Sequence, residues 1–173
     1  MKKTIWIPLV IGAAFGLLAG ISMSAQLTFV TPAGWIIGFF GIFWSIAAAL
    51  GGPLAGFLAV AISVVICTLF GYPELKAIFS LPLVFWANII IIGAAFAVEG
   101  FLYRLAYTHT KMPFRLLPWV GIVAFGYLVG TPLLVTVEIL LGLPFGNTIW
   151  EGITVGVKGY LPQQLFDIVF TER

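Results

Sequence analysis

Polar side chains at membrane depth are few in this chain, and their spacing gathers them onto helix faces. Glu151 and Lys158 are seven residues apart, which places them on one face of a helix, and Thr154 lies between them, one turn from Lys158. Thr131 and Glu138 share a face by the same spacing, and Asn88 stands in an earlier apolar run with Trp86 nearby. With Trp150 beside Glu151, three helices can direct an amide, two carboxylates, an ammonium and two indoles toward one cavity. A mostly apolar cavity with a few converging polar groups is a small-molecule pocket. The candidate substrate-binding residues are therefore Asn88, Trp86, Glu138, Trp150, Glu151, Thr154 and Lys158. A structural reading stands beside this one. Either glutamate can neutralise Lys158, Asn88 can bond between helices, and the tryptophans can anchor the membrane interface. For Lys158 the functional reading leads, because an ammonium in lipid costs several kcal/mol unless it is paired or used.

Nothing in the chain has the spacing of a catalytic centre. His109 is the single histidine and has no cysteine near it, and there is no HExxH, no phosphate-binding loop and no GxSxG. Cys67 is the single cysteine, so an internal disulfide and a thiolate metal cluster are both excluded, and an apolar filler is the expected use. No enzyme activity, cofactor or metal is expected. The net charge of +2 comes without any basic run that could track a phosphate backbone, so nucleic acid is not an expected partner. Glu99 lies near Tyr103 and Arg104, and a local pair is its expected arrangement.

The elements that must position these groups are membrane spans. Of 173 residues, 62% are hydrophobic and 8% charged, with a mean hydropathy of +1.18; soluble domains are typically about 25% charged. A crossing needs about 20 apolar residues, and the apolar runs give six. They extend over about Ile5 to Ser24, Ala33 to Leu50, Pro53 to Phe70, Phe79 to Tyr107, Leu117 to Leu141 and Thr148 to Phe170. Breaks such as "LGGP", "GYPEL" and "GLPFGN" carry turn chemistry. Each run is expected to be helical, because a helix satisfies its own backbone in lipid and no run shows strand alternation. The expected fold is an all-α, single-domain bundle of six transmembrane helices.

Charge placement orients that bundle. With the amino terminus inside, Lys2, Lys3, Arg104, Lys111, Arg115 and Arg173 are cytoplasmic, only Lys76 lies outside, and Lys158 is within the last span. That positive-inside bias puts both termini in the cytoplasm of a multi-pass protein of the cell membrane. The first run also has the features of a cleavable signal, but its near-spanning length and the charge count favour a retained helix.

Gly12, Gly16 and Gly20 form a small-residue ridge extended by Ser24, a second ridge opens the third span in "GGPLAGFLAVAIS", and Gly152 with Gly156 make a third. Such ridges let backbones approach closely in lipid, within one chain or between chains. The first three spans carry no ionisable group after Lys3, whereas the later ones hold nearly all the buried polar groups.

In length, span count and the strings "LGGPLAGFLAV", "LPLVFWANIIIIGAAFAVEGFLYRL" and "GYLPQQLFDIV", the chain resembles the substrate-binding S components of energy-coupling factor (ECF) vitamin transporters. The resemblance implies a non-enzymatic subunit that captures a vitamin-like small molecule at the outer face. It implies docking on a membrane-embedded coupling subunit powered by two ATPase subunits, with Gly12, Gly16 and Gly20 as docking residues where the family usually has alanines. It also implies that the first loop, "SAQLTFVTP" from Ser24 to Pro32, covers the substrate. No vitamin-specific string is present, and two acids, one lysine and many aromatics favour a neutral or cationic heteroaromatic ligand. Two other classes fit the same composition: a structural or assembly subunit of a larger membrane complex, and a small ion-coupled carrier.

Overall fold

The computed structural model describes residues 5–30, 36–108 and 121. The chain rises through α1 (Trp6–Ser24), crosses a ribbon of β1 (Thr28–Val30) and β2 (Ile36–Gly38), and descends through α2 (Phe39–Gly51). It rises again through α3 (Pro53–Phe70), turns through the short α4 (Pro73–Phe79), and descends through α5 (Pro82–Ala87), a π-helical turn (Asn88–Ile92) and α6 (Gly93–Thr108). Among the described residues, three stretches are long and apolar enough to cross a membrane: Trp6–Ser24, Pro53–Phe70 and the continuous helix Pro82–Thr108. The protein is thus a helical membrane protein.

Glycine disfavours helix in water, but in lipid every backbone N–H and C=O must bond within the segment, so α1 stays helical through its glycines. Its ridge faces α3. Added Cβ atoms would lie 2.9 Å from Leu58 Cβ at Gly12, 2.9 Å from Ile62 Cβ at Gly16 and 2.7 Å from Ile66 Cβ at Gly20. Both helices rise in the same direction, so glycines four apart on α1 meet residues four apart on α3, and the two backbones close to near contact. The same contact fills the small-residue face of α3, whose Ala55 and Ala59 are fully buried.

Helices α2, which packs on both α1 and α3, and α6 complete the core. Trp44 donates from Nε1 to Ser63 Oγ at 3.0 Å, and Ser63 donates to the Val60 carbonyl at 2.8 Å, so the indole is satisfied without water. The Trp44 ring meets Phe96 edge-on at 5.2 Å and Phe40 at 5.0 Å. Close approach recurs where α6 crosses the start of α3. A Cβ on Gly100 would lie 2.5 Å from the Gly52 carbonyl carbon, and one on Gly56 would lie 2.5 Å from the Phe96 carbonyl oxygen.

The third expected span, Pro53 to Phe70, coincides with α3, and the first begins one residue before α1. The second differs. Ile36–Gly38 is strand, not helix, pairing antiparallel with Thr28–Val30 in the register Thr28 to Gly38, Phe29 to Ile37 and Val30 to Ile36. The described residues are therefore mostly helical, as expected, with one small ribbon where the start of the second helix was expected. What remains for α2 is 13 residues, which rise about 20 Å, short of the roughly 30 Å of hydrocarbon. The fourth span begins at Pro82 rather than Phe79, because Pro73 and Pro82 each stand at a helix start and divide α4 from the long helix after it. Apart from Gly121, the fifth and sixth expected spans lie outside the described residues, as do both chain ends.

Candidate functional site

The two ends of the bundle are built differently. At the end bearing the ribbon, α1 stops in a two-bond cap: the Gln26 amide donates to the Met23 carbonyl at 3.2 Å and the Leu27 amide to the Ser22 carbonyl at 2.9 Å. This closure needs a left-handed residue between them, usually glycine. Here it is Gln26, at φ 53°, and it is the one non-glycine with positive φ among the described residues. A side-chain-bearing residue in that region costs about 1–2 kcal/mol.

Directly at this turn lies a cavity of about 360 Å³ lined by Ser22, Met23, Gln26, Leu27, Thr28, Phe40 and Tyr72. Ligand pockets are commonly about 300–1,000 Å³ and largely apolar with a few placed polar groups. Met23, Leu27 and Phe40 are the apolar residues of the lining, and Gln26, Thr28 and Tyr72 are polar residues of it, while the Ser22 hydroxyl is itself buried. Non-helical backbone at the depth of a short helix is tolerated in a membrane protein where it lines such a cavity, and Thr28 of the ribbon is in the lining.

Ser22 is the least ordinary of these residues. It is 2% exposed, and its Oγ is buried with no hydrogen-bond partner among the described residues. Other helical hydroxyls behave differently: Ser63, Thr68 and Thr108 each donate to carbonyls of their own helix at 2.8–3.0 Å. Ser24, two residues on, donates instead to Cys67 Sγ at 3.7 Å, and that thiol lies buried against the Gly20 carbonyl as the expected filler.

The opposite end is closed. The Arg104 guanidinium donates from Nη2 to the Gly51 carbonyl at 2.9 Å, satisfying the last carbonyl of α2 with a cation where the helix dipole favours one. Glu99, five residues before it and 1% exposed, accepts a hydrogen bond from Ser45 of α2, and its Oε1 has no partner among the described residues. Of the two local partners expected for Glu99, Tyr103 and Arg104, the second is corrected: the arginine is drawn to the α2 terminus and forms no ion pair with Glu99.

Among the sequence-derived substrate residues, the structure describes Trp86 and Asn88, and it brings neither to the cavity. Trp86 is 58% exposed and stacks edge-on with Phe85 at 5.3 Å. Asn88 is buried at the start of the π-helical turn, where its Nδ2 donates to the Val84 carbonyl at 2.9 Å and so serves its own helix. Glu138, Trp150, Glu151, Thr154 and Lys158 lie outside the described residues. Gly12, Gly16 and Gly20 are buried against α3, so within the bundle the ridge is an internal contact. The outward face of α1 consists of other residues, Trp6, Val10, Leu17 and Ile21 among them.

Ser22, Gln26, Phe40 and Tyr72 escaped the sequence reading, although the first loop, as a cover, contained Gln26 and Thr28. A serine in a small-residue run reads as helix packing, and a left-handed glutamine has no local signature. Comparisons with protein-family models, with curated proteins and with solved structures find no match to this chain.

Proposed function

We propose that the chain is the substrate-capture subunit of an ECF-type importer. It binds a vitamin-like small molecule at the outer end of the bundle and docks on a coupling subunit driven by two ATPases. The observation that carries this reading is the cavity of about 360 Å³ at the junction of the first loop with α1, α2 and Tyr72. In this reading the ribbon end faces outward, both termini are cytoplasmic, and the protein performs no chemistry of its own. Contact with the coupling subunit falls to the exposed apolar face of α1, because the glycine ridge is occupied by α3.

Native mass spectrometry of the protein purified in mild detergent tests the reading. A small molecule retained without nucleotide, and lost on Tyr72→Ala, is the expected result; a protein that retains none, from cells or from added vitamin mixtures, overturns it.

Glu99 favours a second reading, a small ion-coupled carrier, since a carboxyl buried at membrane depth with one partnerless oxygen among the described residues is the kind of group that carries a proton or cation. Uptake by the chain alone in proteoliposomes, abolished by Glu99→Gln, is the result that would favour the carrier; uptake that needs the coupling and ATPase subunits favours capture.

A further inference from the structure

We infer that Glu99 is a proton-binding site, a carboxylic acid that keeps its proton at neutral pH and makes the contact between α2 and α6 depend on it. Such a site belongs to the fold itself, whatever the cavity at the other end holds, and it commits the carboxyl to a proton rather than a metal cation.

Glu99 lies in the continuous helix Pro82–Thr108 and is 1% exposed. The backbone around it is pressed onto α3: a Cβ on Gly100 would lie 2.5 Å from the Gly52 carbonyl carbon, and one on Gly56 would lie 2.5 Å from the Phe96 carbonyl oxygen. Phe96 and Tyr103, one turn to either side, are themselves buried. The carboxyl accepts one hydrogen bond, from Ser45 of α2, and Oε1 has no partner among the described residues. No described cation pairs with it, because Arg104 donates to the Gly51 carbonyl. Of the elements packed on α6, α2 and the π-helical turn carry no titratable side chain, and α3 carries only Cys67, at the far end beside Gly20 and Ser24. On α6 itself the other titratable groups are Arg104 and the stacked pair Tyr103 and Tyr107.

Ionised, Glu99 would be a charge held by one hydroxyl. Taking an ion out of water costs far more than taking out a neutral acid, so a buried carboxyl without a cation takes up a proton instead. A hard metal cation needs more oxygens than one carboxyl and one hydroxyl bring, and among the described residues no group of three acidic, histidine or cysteine side chains could hold one. The proton is also tied to packing. Ser45 to Glu99 and Arg104 to Gly51 link α6 to α2 through side chains. Loss of the proton leaves a charge between the two helices that only water can satisfy, and water reaches it when α2 and α6 part.

Infrared spectra of the full chain in mild detergent at neutral pH test this, because a protonated carboxyl has an acid carbonyl stretch that a carboxylate lacks. The expected result is an acid band that Glu99→Gln removes and that Ser45→Ala moves to higher wavenumber, since a carbonyl that loses a hydrogen bond stiffens. If Glu99→Gln removes no acid band, the proton site is overturned. Thermal midpoints test the link to packing, because the carboxamide has the shape of the neutral acid and cannot ionise. The folded bundle holds a proton that an unfolded glutamate, with its ordinary value of about 4.3, gives up. Wild-type stability should therefore fall as the pH rises from about 5 to about 8, and that of Glu99→Gln should fall less. The same pH dependence in both proteins overturns the link between proton and packing. A Glu99→Gln protein that does not fold even at about pH 5, where the wild type does, overturns the proton site as well, since the fold would then need the charge.

Discussion

Two described residues have a backbone with positive φ, and they stand at opposite ends of the same bundle. At the closed end the position between α2 and α3 is Gly52, at φ 75°; at the ribbon end the position after α1 is Gln26, at φ 53°. The closed end uses the one residue that enters this region without strain, and the space where a side chain would go is taken by the Arg104 guanidinium. The ribbon end keeps a side chain in a region that disfavours it, beside a cavity. One end is arranged for packing density, and the other keeps a side chain in a strained backbone region beside a cavity.

The sharpest way to break the closed end is Gly52→Ala. Gly52 has ψ −162° as well as positive φ, a combination reached almost only by glycine. Strain of about 1–3 kcal/mol then adds to displacement of Arg104 from the α2 terminus. The thermal midpoint in detergent should fall more for this variant than for Gly100→Ala or Arg104→Ala. A midpoint within error of wild type would mean that this end is not closed as described.

Gly100→Ala comes next. Its Cβ would meet the Gly52 carbonyl carbon at 2.5 Å and the Pro53 nitrogen at 2.8 Å, both backbone atoms that cannot rotate away. Forcing α6 from α3 should cost about 1–3 kcal/mol, the usual range for overpacking. Arg104→Ala should cost somewhat less, on the order of 1–2 kcal/mol for one charge-assisted bond at a partly exposed site, and Arg104→Lys should recover part of it. Unfolding in graded denaturing detergent ranks the three, and an order in which Arg104→Ala exceeds Gly52→Ala would reverse the assignment of what holds this end.

How far the sequence anticipated this structure follows the same division. Helix α3 was legible at both ends because Gly52 and Pro53 mark its start and Gly71 its stop, signals that act through the local backbone. The ribbon was not legible. Ile36–Gly38 is apolar, short and continuous with the apolar run of α2, so hydropathy cannot tell strand from helix there. The glycine ridge was legible as a close contact but not as to its partner, which is decided by α3 presenting Ala55 and Ala59 along the facing row. Glu99 misled for a related reason. Its near neighbour Arg104 is the obvious partner in sequence, while the actual partners, Ser45 for one and the Gly51 carbonyl for the other, come from α2. Of the cavity lining, Gln26, Leu27 and Thr28 fall in the loop that the resemblance implied as a cover. Phe40 and Tyr72 join it only through the tertiary return of α2 and α3.

The smallest predicted effect is on stability at the ribbon end, and its sign carries the comparison. Gln26→Gly removes left-handed strain of about 1–2 kcal/mol and adds the entropy cost of ordering a glycine, roughly 0.5–1 kcal/mol. The balance is a gain of about 0.5 kcal/mol or a little more, so the thermal midpoint should rise slightly, the opposite direction from every substitution at the closed end. Gln26→Ala, which keeps the strain and removes only the carboxamide, should leave stability within a few tenths of a kcal/mol, as is usual for an exposed side chain. If both variants instead lose stability, the carboxamide supports the turn itself, and the contrast between a packed end and a functional end disappears. If Gln26→Gly gains while Gln26→Ala is neutral, the glutamine is retained for something other than folding, and the cavity it lines is where that use lies.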